Sequence, residues 1–200
     1  MAINLQKGQR ISLKKEAPNL SRLMCGLGWD VTEKSGGLMG LFGGGSSSDF
    51  DLDASVLCLD RNDKLSNKSN IVYFGNLRHT SGAITHLGDN LTGAGEGDDE
   101  QVLIELAQVP ETIVKLVFVI NIYECEKRKQ EFSQIRNAFV RLVDLGTQRE
   151  IARYTLSGQQ YQGCYGMILA EVYRHNDEWK MLASGEGVRM DLSAMVKQYM

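Results

Sequence analysis

Asp49-Phe50-Asp51-Leu52-Asp53-Ala54-Ser55-Val56-Leu57-Cys58-Leu59-Asp60 opens as an acidic loop and closes as an apolar strand. Side chains on a strand alternate faces, so Asp49, Asp51 and Asp53 share one side, with neighbours about 6.6–6.8 Å apart. Three like charges in a row disfavour a strand start unless something neutral or cationic bridges them. Outward from this segment the chain reads as strand after strand. Ile3 to Leu13 splits around Lys7-Gly8 like a hairpin, and Arg22 to Val31 is a mixed apolar run. Ile71 to Phe74 and Ile84 to Leu87 are short runs of the same kind. Gln101 to Val109 alternates, with Val102, Ile104 and Leu106 on one face. Ile113 to Glu124, Phe139 to Leu145 and Ile151 to Leu156 are rich in strand formers, and 165–174 with 178–184 flank a hairpin turn at 175–177. Helix is scarce: 131–138 has room for a turn or two. Asp191 caps a segment in which Leu192, Met195, Val196 and Tyr199 fall at helical spacing, a stripe expected to dock on the sheets, with a dimer contact as the other use of it. Many short strands between polar turns predict a mainly β chain, a β-sandwich of two antiparallel sheets with acidic metal-binding loops and a short C-terminal helix.

A second acidic segment, Gly88-Asp89-Asn90-Leu91-Thr92-Gly93-Ala94-Gly95-Glu96-Gly97-Asp98-Asp99-Glu100, holds five carboxylates and four glycines, with no Lys or Arg. Each carboxylate raises the cost of ionising its neighbours, and a bound hard cation removes that cost. Glycines let the backbone turn its carbonyl oxygens inward. Calcium takes six to eight oxygens from carboxylates, amides, carbonyls and water, and this segment offers each of the protein donors. It is not an EF-hand. Leu91 and Gly93 stand where oxygen side chains belong, Ala94 replaces the required glycine, and flanking helices are missing. Gly93-x-Gly95-x-Gly97 lacks the dinucleotide-binding spacing, and its acids repel a pyrophosphate.

Gly28-Trp29-Asp30, Asp49 to Ser55, Gly88 to Gly93 and Gly97 to Glu100 together resemble the TerD family of tellurite-resistance and stress proteins. Later segments agree: Phe118-Val119 with Ile122-Tyr123, Phe132 with Gln134 to Asn137, Ala152-Arg153-Tyr154, and Glu171 to Asn176 with Glu178-Trp179-Lys180. The match runs in order over nearly the whole chain. It implies a β-sandwich that binds calcium between acidic loops, and no known reaction. Resemblance and residues together assign Asp30, Asp51, Asp53, Asp89, Asn90, Asp98, Asp99 and Glu100 as metal ligands, with loop carbonyls filling gaps. So many oxygens suit two calcium ions better than one, and magnesium, with its tighter octahedral demand, fits less well. The expected role is a calcium-binding, non-enzymatic module in tellurite and chemical-stress resistance, a scaffold for other stress-response proteins, without catalytic residues or organic cofactor. The alternative is a metal-dependent hydrolase of a phosphorylated substrate. The acidic cluster has no evident general base or phosphate-binding cation beside it in sequence.

The chain of 200 residues is expected to form one domain spanning 1–200, long enough to bury a sizeable core. Its net charge of −3 gives no general attraction to nucleic acid, and Lys127-Arg128-Lys129 lies among Glu124, Glu126 and Glu131 as a mixed-charge turn. The basic start, Lys7 to Arg22, reads as a solvated edge strand. The four cysteines are scattered with no Cys-x-x-Cys pair, which points to reduced, buried thiols and no zinc site. His79, His86 and His175 are isolated in sequence and read as satisfied histidines rather than ligands. No signal-peptide core or ~20-residue apolar span is visible, so a cytoplasmic location is expected. A Gly/Ser-rich insertion at 35–48 separates Asp30 from Asp49. It reads as a flexible linker whose apolar tip, 38–42, is either incidental or a contact for a membrane surface or partner.

Overall fold

Alternation of apolar and polar residues sets the architecture. The structure is a computed structural model that describes residues 2–31, 50–88, 97–156, 159–176 and 178–200, leaving out the side chains of Asp30, Val31, Arg136, Asn137 and Gln159. In chain order the strands are β1 Ile3–Asn4, β2 Arg10–Ser12, β3 Arg22–Val31, β4 Leu52–Leu59, β5 Ile71–Val72, β6 Ile84–His86, β7 Glu100–Glu105, β8 Lys115–Ile122, β9 Ile135–Asp144, β10 Arg149–Leu156, β11 Gly166–His175 and β12 Glu178–Val188. The helices are α1 Leu13–Glu16, α2 Cys125–Arg128 and α3 Leu192–Gln198. The first sheet runs β1-β10-β9-β3-β7-β6 and the second β2-β12-β11-β8-β4-β5. Neighbours are antiparallel except β1 with β10, which are parallel. The expected sandwich is therefore present, with one mixed edge.

Side chains from both sheets meet in one core. Leu23, Cys25, Leu27 and Trp29 of β3 face Leu52, Ala54, Val56 and Cys58 of β4 and Leu116, Phe118 and Ile120 of β8 within a single buried cluster. Val102, Ile104 and Leu106 are buried, as the alternation requires. β11 and β12 form the expected hairpin, with His175 opposite Glu178. The segment 35–48 and its 38–42 tip lie outside the described residues.

One local reading differs from the structure. Residues 3–13 do not form a hairpin. Gly8 does turn the chain (φ +80°), but β1 pairs with β10 of the first sheet and β2 with β12 of the second. The Gly8 N–H donates to the Ala183 carbonyl (2.7 Å), so the turn carries the chain from one sheet to the other. Both strands sit at sheet edges, where the basic residues blunt further pairing. Residues 131–138 hold a 3-10 turn, Phe132–Gln134, before β9 begins at Ile135. The turn is closed by a reciprocal cap between Glu131 and Gln134.

The second sheet is covered on both faces, so every residue of β4 is buried. Its outer face carries Leu57 and Leu59, which pack with Val117, Val119 and the fully buried Met195 of α3. The Asp191 carboxylate accepts from the Ala194 N–H (2.7 Å) and starts α3 at the point where its apolar stripe meets the sheet. Leu192, Val196 and Tyr199 complete the contact. Removing the Met195 side chain opens a cavity, so Met195→Ala is expected to cost about 2–5 kcal/mol in urea unfolding. Lys197→Ala, on the exposed side of the same helix, is expected to stay within about 0.5 kcal/mol of the parent. Equal midpoints for the two variants would mean that α3 is not docked.

Candidate metal centre

The Gly28-Trp29-Asp30 motif faces a bulge. The register between β3 and β9 runs regularly to Gly28 opposite Phe139 and resumes at Asp30 opposite Arg136, so Asn137 and Ala138 of β9 stand against the single residue Trp29 and the extra residue belongs to β9. The Trp29 N–H is turned out of the ladder and donates to the Asp99 carboxylate (2.8 Å). The Asp99 N–H in turn donates to the Leu27 carbonyl (2.6 Å). The base of the second acidic segment is thereby stitched to β3 just before β7 begins.

Two glycines make room for it. A Cβ on Gly26 would collide with the Asp98 carboxylate, and one on Gly28 would lie 2.6 Å from the Gly97 carbonyl oxygen. Asp98 crosses over Gly26 to Arg141 of β9, which donates from Nε to Oδ1 (2.7 Å) and from Nη2 to Oδ2 (3.0 Å). Such a fork-on-fork pair is among the stronger charge-assisted contacts. The Asp98 side chain is 0 % exposed, and the pair raises the Arg141 pKa chiefly through this hydrogen bonding. Arg141 also reaches Glu150 (3.3 Å), which Arg153 holds from its other side (2.9 Å) while stacking over the Phe139 ring (4.1 Å). The Glu150 pKa is lowered, first by its hydrogen bond from Arg153 and further by Arg141.

Glu100 points the other way. It shares the core-facing side of β7 with Val102 and Ile104, and its Oε2 accepts from the Ala54 N–H of the opposite sheet (2.6 Å). His86 Nε2 lies 3.5 Å from the same oxygen, while His86 Nδ1 accepts from the Gly88 N–H (3.1 Å). That acceptor role puts the proton of a neutral His86 on Nε2, facing Glu100. Asp53 Oδ2 accepts from Asn121 Nδ2 (3.2 Å), its direct neighbour across β4 and β8. The Asp51 carbonyl accepts from the Tyr123 N–H (2.8 Å). Asp51, Asp53 and Glu100 are 8 %, 4 % and 2 % exposed.

The eight sequence-assigned ligands thus divide. Asp51, Asp53, Asp99 and Glu100 lie where the two acidic segments enter β4 and β7, and Asp98 is committed to Arg141 on the outer face of the first sheet. Asp30 is described in its backbone alone, and Asp89 and Asn90 lie outside the described residues. Among the described residues no three His, Cys, Asp or Glu side chains converge enough to hold a metal ion. The donors present are oxygens, the chemistry of calcium and magnesium rather than of zinc or copper. A cleft of about 260 Å³ opens between Leu87, Gly88, Asp98, Asp99 and Gln101 at the foot of the second segment. Gly88 and Gly97, both with φ near the left-handed region (+117° and +116°), flank residues 89–96.

Arg141 and Asn121 were not singled out as site residues from sequence. Asn121 did leave a signal, as a lone amide in the apolar run 113–123. Arg141 left none, since its partner is 43 positions away. Three of the four thiols are buried as expected, and Cys164 is the exception, only partly buried. Cys25, Cys58 and Cys125 are buried, and burial pushes the Cys58 thiol up to about 12 and raises Cys25 and Cys125 as well. His79 is a satisfied core histidine, bonded to Ser81 Oγ (2.8 Å) and Asn70 Oδ1 (3.2 Å), and burial lowers its pKa. Lys127 and Arg128 turn back on Glu124 (3.1 and 3.8 Å), the mixed-charge turn expected.

Comparison with known proteins places this geometry. The TerD domain family model matches residues 1–199. The stress response protein SCP2 of Bacillus subtilis is 51 % identical over 187 residues, covering 94 % of this chain and 93 % of that one. The tellurium resistance protein TerD of Serratia marcescens is 40 % identical over 199 residues, covering 100 % and 97 %. The crystal structure of a homologue of telluride resistance protein (TerD) from Streptomyces coelicolor A3(2) superposes with a TM-score of 0.65 at 18 % identity, over 89 % and 96 % of the two chains.

Breaking one side of a buried pair leaves an uncompensated charge. Arg141→Met is expected to cost about 3 kcal/mol, and Asp98→Asn in the same chain to recover part of it, giving a coupling of about 1 kcal/mol or more by double-mutant cycle. Additive variants would show that the pair is not formed. Glu150 gives a pH signature. Its folded pKa lies below the ordinary glutamate value of ~4.3, so its contribution is complete above that value and is lost as pH falls through the folded pKa. The difference in stability between parent and Glu150→Gln is therefore expected to shrink below about pH 4; a difference that is constant from pH 7 to pH 3 would contradict it.

Proposed function

The chain belongs to the TerD family of tellurium-resistance and stress-response proteins, and on that premise we propose that it is a calcium-binding, non-enzymatic module whose ion shapes a surface for other stress-response proteins. The observation that supports calcium is the burial of Asp51, Asp53 and Glu100 at the ends of the two acidic segments. An ionised carboxylate taken out of water costs several kcal/mol unless charge or hydrogen bonds compensate. Amide N–H groups of Asn121 and Ala54 meet part of that cost. Two hard divalent ions shared among Asp30, Asp51, Asp53, Asp89, Asn90, Asp99 and Glu100 would add to that compensation and would fix both segments to the sandwich end. Asp98 contributes differently. Both of its oxygens face Arg141, so it anchors the segment and leaves the ions to its neighbours. The first-preference ion is calcium, which tolerates the mixed donors and irregular geometry of loops.

A role by binding fits the polar groups described. Among the described side chains, the cations beside the acids, Arg141 and Arg153, are engaged with Asp98 and Glu150 rather than standing as a phosphate-holding pair. Among the described residues no helix is long and apolar enough to cross a membrane. We assign the protein to the cytoplasm, with peripheral membrane contact through 38–42 and self-association as further proposals.

Titration calorimetry on chelator-treated protein is expected to show calcium bound in preference to magnesium. Asp53→Ala and Asp89→Ala should each weaken it at least about tenfold, since each removes a charged ligand worth more than ~1.4 kcal/mol. An ion that binds the native state alone stabilises it by about 2.7 kcal/mol at a hundredfold excess over Kd, so the melting temperature should rise with calcium. Identical melting curves in calcium and chelator, or metal-dependent turnover of phosphoesters, would overturn the proposal.

A further inference from the structure

A groove of about 830 Å³ runs along the outer face of the second sheet, between the 71–74 turn, α2 and the start of α3. That size is within the range of small-molecule sites, about 300–1,000 Å³. Its walls are aromatic, from Tyr73, Phe74, Tyr123 and Tyr165. Phe74 and Tyr123 are 49 % and 43 % exposed, so their rings are available to a ligand rather than spent in the core. Asp53 and Asn121, side by side on β4 and β8, line the same groove.

The floor is built of acceptors. Asn121 is 8 % exposed, and its Oδ1 is buried and accepts no hydrogen bond among the described residues. Its Nδ2 is spent on Asp53. A buried acceptor left unmade costs about 1–3 kcal/mol, and a ligand that brings a donor recovers it. Asp53 adds negative charge at the same place. A neutral or anionic head group cannot use this floor as well as a cation with several N–H donors can. Aromatic walls favour the same choice, since ring faces attract an ammonium. The rim does not oppose it. Glu124, Glu126 and Asp191 stand there against Lys68, Lys127 and Arg189, and Lys127 is paired with Glu124 (3.1 Å).

We propose that this groove binds a primary amine with an apolar body, the ammonium seated on Asn121 Oδ1 and the Asp53 carboxylate and the body lying among Tyr73, Phe74 and Tyr123. The site shares Asp53 with the calcium reading but does not rest on it. Bound calcium would compete at the floor, so the test is run in chelator, and calcium affinity is measured separately on the same preparation.

Hexylamine, hexanol and hexanoate are titrated into the chelated full chain and followed by protein NMR shifts and by calorimetry. Hexylamine is expected to bind at least about tenfold tighter than hexanol, as a charge-assisted contact requires, and hexanoate weakest. Shifts should concentrate at Tyr73, Tyr123, Asn121 and the first turn of α3. Phe74→Ser, at an exposed position that the core does not need, should weaken hexylamine several-fold while leaving the melting temperature unchanged. Asn121→Leu should remove the preference for hexylamine over hexanol. If Asn121→Leu fails to fold, the three-ligand ranking and Phe74→Ser still decide. Equal affinity for the three probes, or hexylamine binding untouched by Phe74→Ser with shifts elsewhere, would overturn the proposal whether or not calcium binds.

Discussion

The Glu100 carboxylate on the Ala54 N–H joins the two sheets at their acidic end, and the geometry there depends on it. At 2.6 Å it is short for an N–H···O contact, as expected when the acceptor carries charge. Among the described residues β5 pairs with β4 at Val56 and Leu57 alone, and no described strand meets the N–H of Ala54 on that side. Glu100 takes the strand's place from across the core. That fixes where β7 must start, and with it the positions of Asp99 and Asp98 one and two residues earlier. It also fixes the neighbours of Ala54, Asp53 and Ser55. A carboxylate at the edge of an apolar core is tolerable only with such partners, and His86, itself oriented by the Gly88 N–H, supplies another.

Acids that look alike in sequence therefore do different work. Asp98 and Asp99 are adjacent, yet successive side chains leave an extended backbone on opposite sides. Asp98 falls on the outer face of the first sheet, over Gly26, and meets Arg141. Asp99 takes the Trp29 N–H where β3 faces the bulge of β9. Glu100 enters the core. One acidic run thus grips the outer face of the first sheet, the backbone of β3, and the second sheet. The glycines of Gly26-Leu27-Gly28 matter because the arm lies directly on β3, with no space for a Cβ beneath it.

Period-two patterns made the core legible: Val102, Ile104 and Leu106 are buried because burial and alternation are the same fact. The C-terminal helix was legible for a similar reason, from its stripe and its Asp191 cap. What was not legible depends on pairing at a distance. The turn at Lys7-Gly8 is real, but whether two strands flanking a turn pair with each other is settled by β10 and β12, some 140 or more residues away. Arg141 reads as an ordinary outward residue of a strand until β3 places Gly26 opposite it and Asp98 above. The acidic segments were visible as charge, but which carboxylates face one another is a property of the folded ends of β4 and β7.

The second sheet adds a constraint that charge counting misses. Its outer face is apolar at Leu57, Leu59, Val117 and Val119, where α3 covers it, and polar at Asp53, Ser55 and Asn121, where the helix has not yet begun. α3 starts at Leu192 and runs toward the C-terminal ends of β4 and away from Asp53, so the same docking that buries Met195 leaves a groove beside the acids. Lengthening α3 at its start would close that groove, and Asp191 stops it from lengthening, because its side chain already takes the Ala194 N–H and its backbone is extended. The cap that stabilises the helix is thus also what leaves the groove beside Asp53 and Asn121, and the acidic end of the sandwich and the groove meet at this one residue pair on β4 and β8.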